Sequence, residues 1–286
     1  MIKKITVLTL SLIISGCGLS VTQREAATRF ASASTSVGDF STKEFAAMRD
    51  VTIQMNTKDI ALGGKAKIND LDGAFDVDDV AIRINAAIAL SAYGDLLLAL
   101  VDDRQSRDLR NATMQFEDSL RGVSGRTLSD ADLDNLGALV YNIGGFFLEQ
   151  QRAKALKQIV LRSKTDVDHL CDLLIQDFNP TGLNLLHAVD NTSKRLKVDA
   201  DMALAAQKDN PKSKLFAIQA YRLADSQRTR VKKTGAQAVA VLTALKSANA
   251  ELVNALENNS EFLVDTRLLG VKMKNLGLAL KVFSGS

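Results

Sequence analysis

Apolar residues recur along this chain at alternating three- and four-residue spacing, the period of helices that bury one face, and no run alternates as a half-buried strand does. The first stripe comprises Phe30, Val37, Met48, Val51, Met55 and Leu62, diluted by Ser34 and Ser41. Thr22-x-x-Glu25 has capping-box spacing at its start, and Gly63-Gly64 ends it. Residues 65–78 read as an acidic loop, with Asp78 or Asp79 placed to cap a second helix. That helix, from Val80 to Val101, is apolar almost all round, as the central helix of a bundle is. Its pattern continues through Leu109, Phe116 and Leu120 and stops near Gly122 to Gly125.

Ser129-x-x-Asp132 predicts another helix start, followed by Leu133, Leu136, Val140, Gly144 and Phe147, then Leu156, Val167, Leu170, Leu174 and Phe178, with a break near Ser163 to Thr165. Asn179-Pro180-Thr181-Gly182 is the clearest mid-chain turn. A shorter helix spans about 183–208 and stops at Asp209-Asn210-Pro211. The cleanest pattern follows, with Phe216, Ala220, Leu223, Val231, Ala238, Leu242, Leu245, Leu252 and Leu256 on one stripe and Gln227, Thr234 and Asn249 as its polar exceptions. After Asn258-Asn259-Ser260 shifts the phase, a last helix is predicted along Phe262, Leu269, Met273, Leu276, Leu280 and Phe283. These elements predict an all-α fold, an elongated bundle of about five to six long, mostly antiparallel helices. They form a single domain, or two lobes meeting near 179–182.

Composition supports the helical reading, with two prolines in 286 residues and no tryptophan. The run from Val80 to Val101 has the length of a membrane span, but Arg83, Asn85 and Asp95 are costly in hydrocarbon, so a buried bundle helix is the better reading.

The N-terminus carries a different pattern. Lys3-Lys4 precedes an apolar run from Ile5 to Ile14, closed by Ser15-Gly16-Cys17. This layout resembles a bacterial lipoprotein signal peptide with its lipobox. The resemblance covers only about the first 20 residues. It implies that residues 1–16 are removed and that Cys17 becomes an N-terminus carrying diacylglycerol on sulfur and an acyl chain such as palmitate on nitrogen. Several acyl chains anchor a protein stably where one does so marginally. Gly18, where the family's retention rule would place aspartate, implies the outer membrane and a periplasm-facing body, with surface exposure as the alternative. Removing Lys3 and Lys4 leaves 34 basic against 33 acidic residues, so the pI of 8.8 does not argue for a nucleic-acid partner. Cys171 is then the one thiol left, and no intramolecular disulfide is available.

Candidate chemistry is sparse. Asp70-Leu-Asp72-Gly73 echoes a calcium loop, but in that register position one is Ile68 and position twelve Asp79, so a solvated loop with a helix cap fits better. Asp166-x-x-His169 places two potential ligands on one helix face without the further ligands a metal needs. Cys171 points away from His169 and reads as a core residue, and His187 as a hydrogen-bonded bundle histidine. Arg83 and Asp95 mark a buried polar network, a proton-handling site or the wet edge of the apolar helix, and Tyr93 cannot face the same way as Asp95. Gly144-Gly145 suits a close helix crossing or a kink. Arg228, Arg230, Lys232 and Lys233 form a basic run, either a solvated face or a surface for lipid head groups or an acidic partner.

No nucleophile-elbow, phosphate-loop, zincin or dinucleotide motif appears in its required context. The expectation is a non-enzymatic protein with no cofactor and no metal, held to the membrane by acyl chains and binding another envelope protein, with homo-oligomerisation left open. An immunity or exclusion lipoprotein that neutralises an incoming toxin, and a carrier of lipid or another apolar ligand, are the alternatives.

Overall fold

Seven α-helices make up the computed structural model, which describes residues 19, 21–101, 106–141, 149–179, 182, 184–206 and 210–258. They are α1 (Val21–Ala61), α2 (Val77–Val101), α3 (Ser106–Arg121), α4 (Asp130–Tyr141), α5 (Glu149–Phe178), α6 (Leu185–Ala206) and α7 (Pro211–Asn258). The fold is an all-α bundle, and no strand occurs among the described residues. The Cys17 lipobox, the Thr22 side chain, the Gly144-Gly145 pair, Pro180 and the helix expected over 262–283 lie outside the described residues.

The dilution of the α1 stripe has a physical cause. Where α1 crosses α2, small residues let the backbones approach. The Ser34 hydroxyl donates to the Leu90 carbonyl at 2.7 Å. A Cβ on Gly38 would lie 2.4 Å from the Ala87 carbonyl oxygen, and one on Gly94 would lie 2.5 Å from that of Ala31. Elsewhere the α1 stripe carries bulk, with Phe45, Met48 and Met55 fully buried, while Phe30 packs edge-on against Tyr93 of α2. Gly63, in the left-handed region at φ 80°, closes the helix, and the Gly64 N–H bonds the Asp59 carbonyl at 2.8 Å.

Among the described residues α2 is the one helix long and apolar enough to cross a bilayer by length and composition, but two thirds of that stretch is buried by neighbouring helices. It starts one turn earlier than expected, because Asp76 caps it rather than Asp78 or Asp79: the Asp76 side chain accepts from the Asp78 N–H at 2.9 Å. Nor does the helix run on to Leu120. Instead α3 packs back along α2 in the opposite direction, with Phe116 meeting Tyr93 at 5.5 Å between ring centroids and Gly122 lying against Asn85. An all-round apolar helix needs cover on every side, and the buried Leu109, Phe116 and Leu120 of α3 supply it.

The break expected near Ser163 is absent, and α5 is continuous from Glu149 to Phe178. Ser163 is buried and returns its hydroxyl to the Ile159 carbonyl at 2.7 Å, which removes its competition with the helix. Asn210 caps α7, accepting from the Lys212 and Ser213 N–H groups, and Pro211 occupies the first helical position, where a missing N–H costs nothing.

Direction follows from paired side chains. Lys58 lies over the Phe216 ring, and Glu44 meets Arg230, so α7 runs antiparallel to α1. Ser193 meets Met55 and Arg195 meets Asn56, so α6 runs parallel to α1. The start of α1 and the end of α7 thus share one end of the body. The end of α1 and the α6–α7 hairpin share the other, about 60 Å away over the 41 residues of α1. Buried apolar residues from all seven helices form one contiguous core.

Candidate functional site

The residues singled out by sequence fall into separate places. Asp166 and His169, one turn apart on α5, both reach the loop that joins α3 to α4. Asp166 is fully buried; its carboxylate accepts from the Thr127 N–H and the Thr127 hydroxyl, both at 2.6 Å. His169 Nε2 donates to the Ser124 carbonyl at 3.0 Å. Their shared face is a clamp on residues 124–128, where Gly125 takes φ 76°. Beside the clamp, Ser129 and Asp132 form the expected capping box: the Asp132 carboxylate accepts from Ser129 N–H at 3.0 Å, and Ser129 Oγ accepts from Asp132 N–H at 3.2 Å. The Ser129 hydroxyl, which donates to the Asp132 carboxylate at 2.6 Å, and the Ser129 N–H together hold that carboxyl below its usual range. Asp166→Ala is expected to cost about 1–3 kcal/mol and to raise hydrogen exchange selectively at residues 126–129, since the loop loses its buried acceptor. Exchange unchanged in this loop would refute the clamp.

Arg83 and Asp95 do not form one network. Arg83 Nε pairs with Asp177 Oδ2 at 3.3 Å. Asp95, three turns on, accepts from the Thr35 hydroxyl at 2.9 Å, close to Asp39, which accepts from Ser91 Oγ at 2.7 Å. Burial raises the Asp95 carboxyl, against the Thr35 bond, and the Asp39 charge adds to the rise. Tyr93 is turned the other way into the core, where burial pushes its phenol well above the usual range. Burial does the same to Cys171, a core thiol with little thiolate character.

The loop at 70–73 is tied into the fold. Asp72 pairs with Arg49 at 3.1 Å, Asn56 Nδ2 donates to the Leu71 carbonyl at 2.7 Å, and Phe75 is fully buried. Among the described residues no group of three or more His, Cys, Asp or Glu side chains is arranged to hold a metal.

A cleft of about 630 Å³ opens where α5 ends and α6 begins, lined by Arg83, Gln176, Asp177, Asn179, Asn184, His187 and Asn191 among others. Much of that polarity is structural. Asn184 caps α6, accepting from the His187 N–H at 3.1 Å and donating to the Asn179 carbonyl at 2.7 Å. What remains is a polar, open depression without a nucleophile and base in contact.

The basic run is divided by the helix period. Arg228 pairs with Asp190 on α6 at 3.3 Å. Arg230 reaches the buried Glu44 on α1. Lys232 and Lys233 are exposed. The two arginines therefore bind α7 to its neighbours.

Two features had no place in the sequence expectations. First, a polar cluster joins α1 to α6. Asp59 is fully buried and its Oδ2 accepts from the Ala66 N–H at 2.7 Å, Arg195 Nε lies 3.6 Å from the same oxygen, and Arg195 donates to Asn56 Oδ1 at 2.6 Å. Asp199 meets Asp59 in the same cluster. The available signal was Asp59 itself, a carboxylate four residues after Met55 on the apolar stripe of α1. Second, the α6–α7 hairpin carries exposed apolar side chains near its end: Val198 (56% exposed), Met202 (58%), Leu215 (58%) and Ile218 (39%). All four lie within about 12 Å of helix from the described ends of α6 and α7.

Comparison of the chain with family models, with curated proteins and with solved structures found no match in any of the three. The functional reading therefore rests on the residues themselves.

Proposed function

We propose that this chain is a lipid-anchored protein of the bacterial cell envelope. Its helical body holds an interaction surface away from the membrane for another envelope protein, and it acts by binding rather than by catalysis. The observation that carries the reading is the group of exposed apolar residues at the α6–α7 end, about 60 Å along α1 from that helix's N-terminal end. Lone apolar side chains on a surface need no explanation, but four on one hairpin end suit a protein contact. The anchor is argued from residues 1–17, and Gly18 favours the outer membrane, facing the periplasm.

Two measurements test the two halves of the proposal. Mass spectrometry of protein purified from membranes is expected to find residues 1–16 removed and Cys17 acylated on sulfur and nitrogen; an unmodified thiol would refute the anchor. Photo-crosslinkers placed at Met202 and Leu215 in the native envelope are expected to capture a reproducible protein partner, whereas the same probe at Arg29 on the near end is not. Equal yields from both ends would remove the hairpin end as the contact.

A further inference from the structure

The cluster between α1 and α6 brings two carboxylates together. Asp59 Oδ1 and Asp199 Oδ2 are both shielded from solvent, and neither has a donor to accept from. The two side chains meet each other, and ionised carboxylates are acceptors only. A proton placed between them turns two orphaned acceptors into one hydrogen bond. Opposing charge comes from Arg195, one turn back on α6, and from Lys65 in the turn after α1. The Arg195 guanidinium is divided between Asn56 Oδ1 and the other Asp59 oxygen. Lys58, the residue before Asp59, lies over the Phe216 ring of α7 at 4.7 Å.

We propose that Asp59 and Asp199 share a single proton, and that this proton latches α6 onto α1 at the end of the body remote from the N-terminus. When the proton leaves, two negative charges stand side by side, and the α6–α7 hairpin loosens from α1. Burial, with the Asp59 hydrogen bond and charge adding to it, lifts the Asp199 carboxyl to about 6. The sign follows from that direction. The folded chain holds a proton that the unfolded chain gives up near the ordinary aspartate value, so the latch is closed in mild acid and weakens as pH rises through about 6. The device sits on the same hairpin that exposes Val198, Met202, Leu215 and Ile218, so proton loss would change how rigidly those side chains are presented.

Hydrogen exchange on the full chain, expressed as protection factors to remove the intrinsic pH dependence, reads the latch. Between about pH 5 and about pH 7.5, protection of the α6 amides over residues 196–202 is expected to fall by about tenfold relative to the α5 amides, less than a two-unit shift would give because Asp199 is partly exposed. Asp199→Asn keeps the shape and supplies an amide donor to Asp59, so its α6 protection is expected to stay high at both pH values. In unsubstituted protein, carboxyl-carbon NMR is expected to show Asp199 titrating with a midpoint near 6. Equal α6 protection at both pH values, or an Asp199 titration in the ordinary aspartate range, would overturn the proposal.

Discussion

Gly94→Leu is expected to lower the unfolding free energy by at least about 3 kcal/mol, seen as a lower midpoint in urea with the slope unchanged. The reason is what stands opposite. A Cβ at position 94 would lie 2.4 Å from Thr35 Oγ1, 2.5 Å from the Ala31 carbonyl oxygen and 2.6 Å from the Thr35 nitrogen. Two of those three are α1 backbone atoms, which cannot rotate aside as a side chain can. Gly38 meets the same obstacle from the other helix, with the Ala87 carbonyl oxygen at 2.4 Å and the Ser91 nitrogen at 2.5 Å. Relief requires α1 and α2 to separate, and separation also breaks the Ser34–Leu90 and Thr35–Asp95 hydrogen bonds that span the crossing. Gly63→Ala is the informative comparison. Nothing lies within 4 Å of its Cβ position, so only the positive φ opposes it, and about 1 kcal/mol is expected. If Gly94→Leu costs no more than Gly63→Ala, the two helices are not held at close range.

The same crossing shows what the sequence revealed and what it withheld. The period of apolar positions was enough to place α1, α6 and α7 nearly to their ends, because long stripes without proline have only one regular solution. Ser34 looked like dilution of the α1 stripe, and Gly38 and Gly94 carried no reading, although all three mark where two helices touch closely. A one-dimensional pattern records that a position is small and not what it is small for. The reversal between α2 and α3 was hidden for a related reason, since α3 extends the apolar count of α2 while packing back on it. The continuity of α5 past Ser163 depended on a hydroxyl finding the Ile159 carbonyl, which propensity alone does not reveal. Charged groups were the least legible. Asp166-x-x-His169 was visible as a shared face, but its partner was the backbone of a loop about 40 residues upstream. Arg228 and Arg230 read as a surface until α6 and α1 were brought against them. Asp59 and Asp199 are separated by 140 positions and share no local motif.

Arg230→Met is expected to destabilise the protein by about 3–5 kcal/mol at pH 7.5 and by far less at pH 4.5. Glu44 is buried on the α1 stripe, and one of its oxygens, Oε1, has no hydrogen-bond partner while the other receives the Arg230 guanidinium. Burial already lifts the Glu44 carboxyl above its usual range, with the Arg230 charge and hydrogen bond opposing that rise. Methionine fills similar volume but removes the opposition, so the folded form holds the Glu44 proton more tightly still. The unfolded chain releases that proton near the ordinary glutamate value of about 4.3. Stability is therefore retained below that value and lost as pH rises through the higher folded value, which places the damage at neutral rather than acid pH. Urea melts at the two pH values measure it. Adding Glu44→Gln to Arg230→Met removes the titrating group and should make the loss independent of pH. An equal loss at both pH values in the single variant would mean that Arg230 holds α7 to α1 through the packing of its stem and not through its charge.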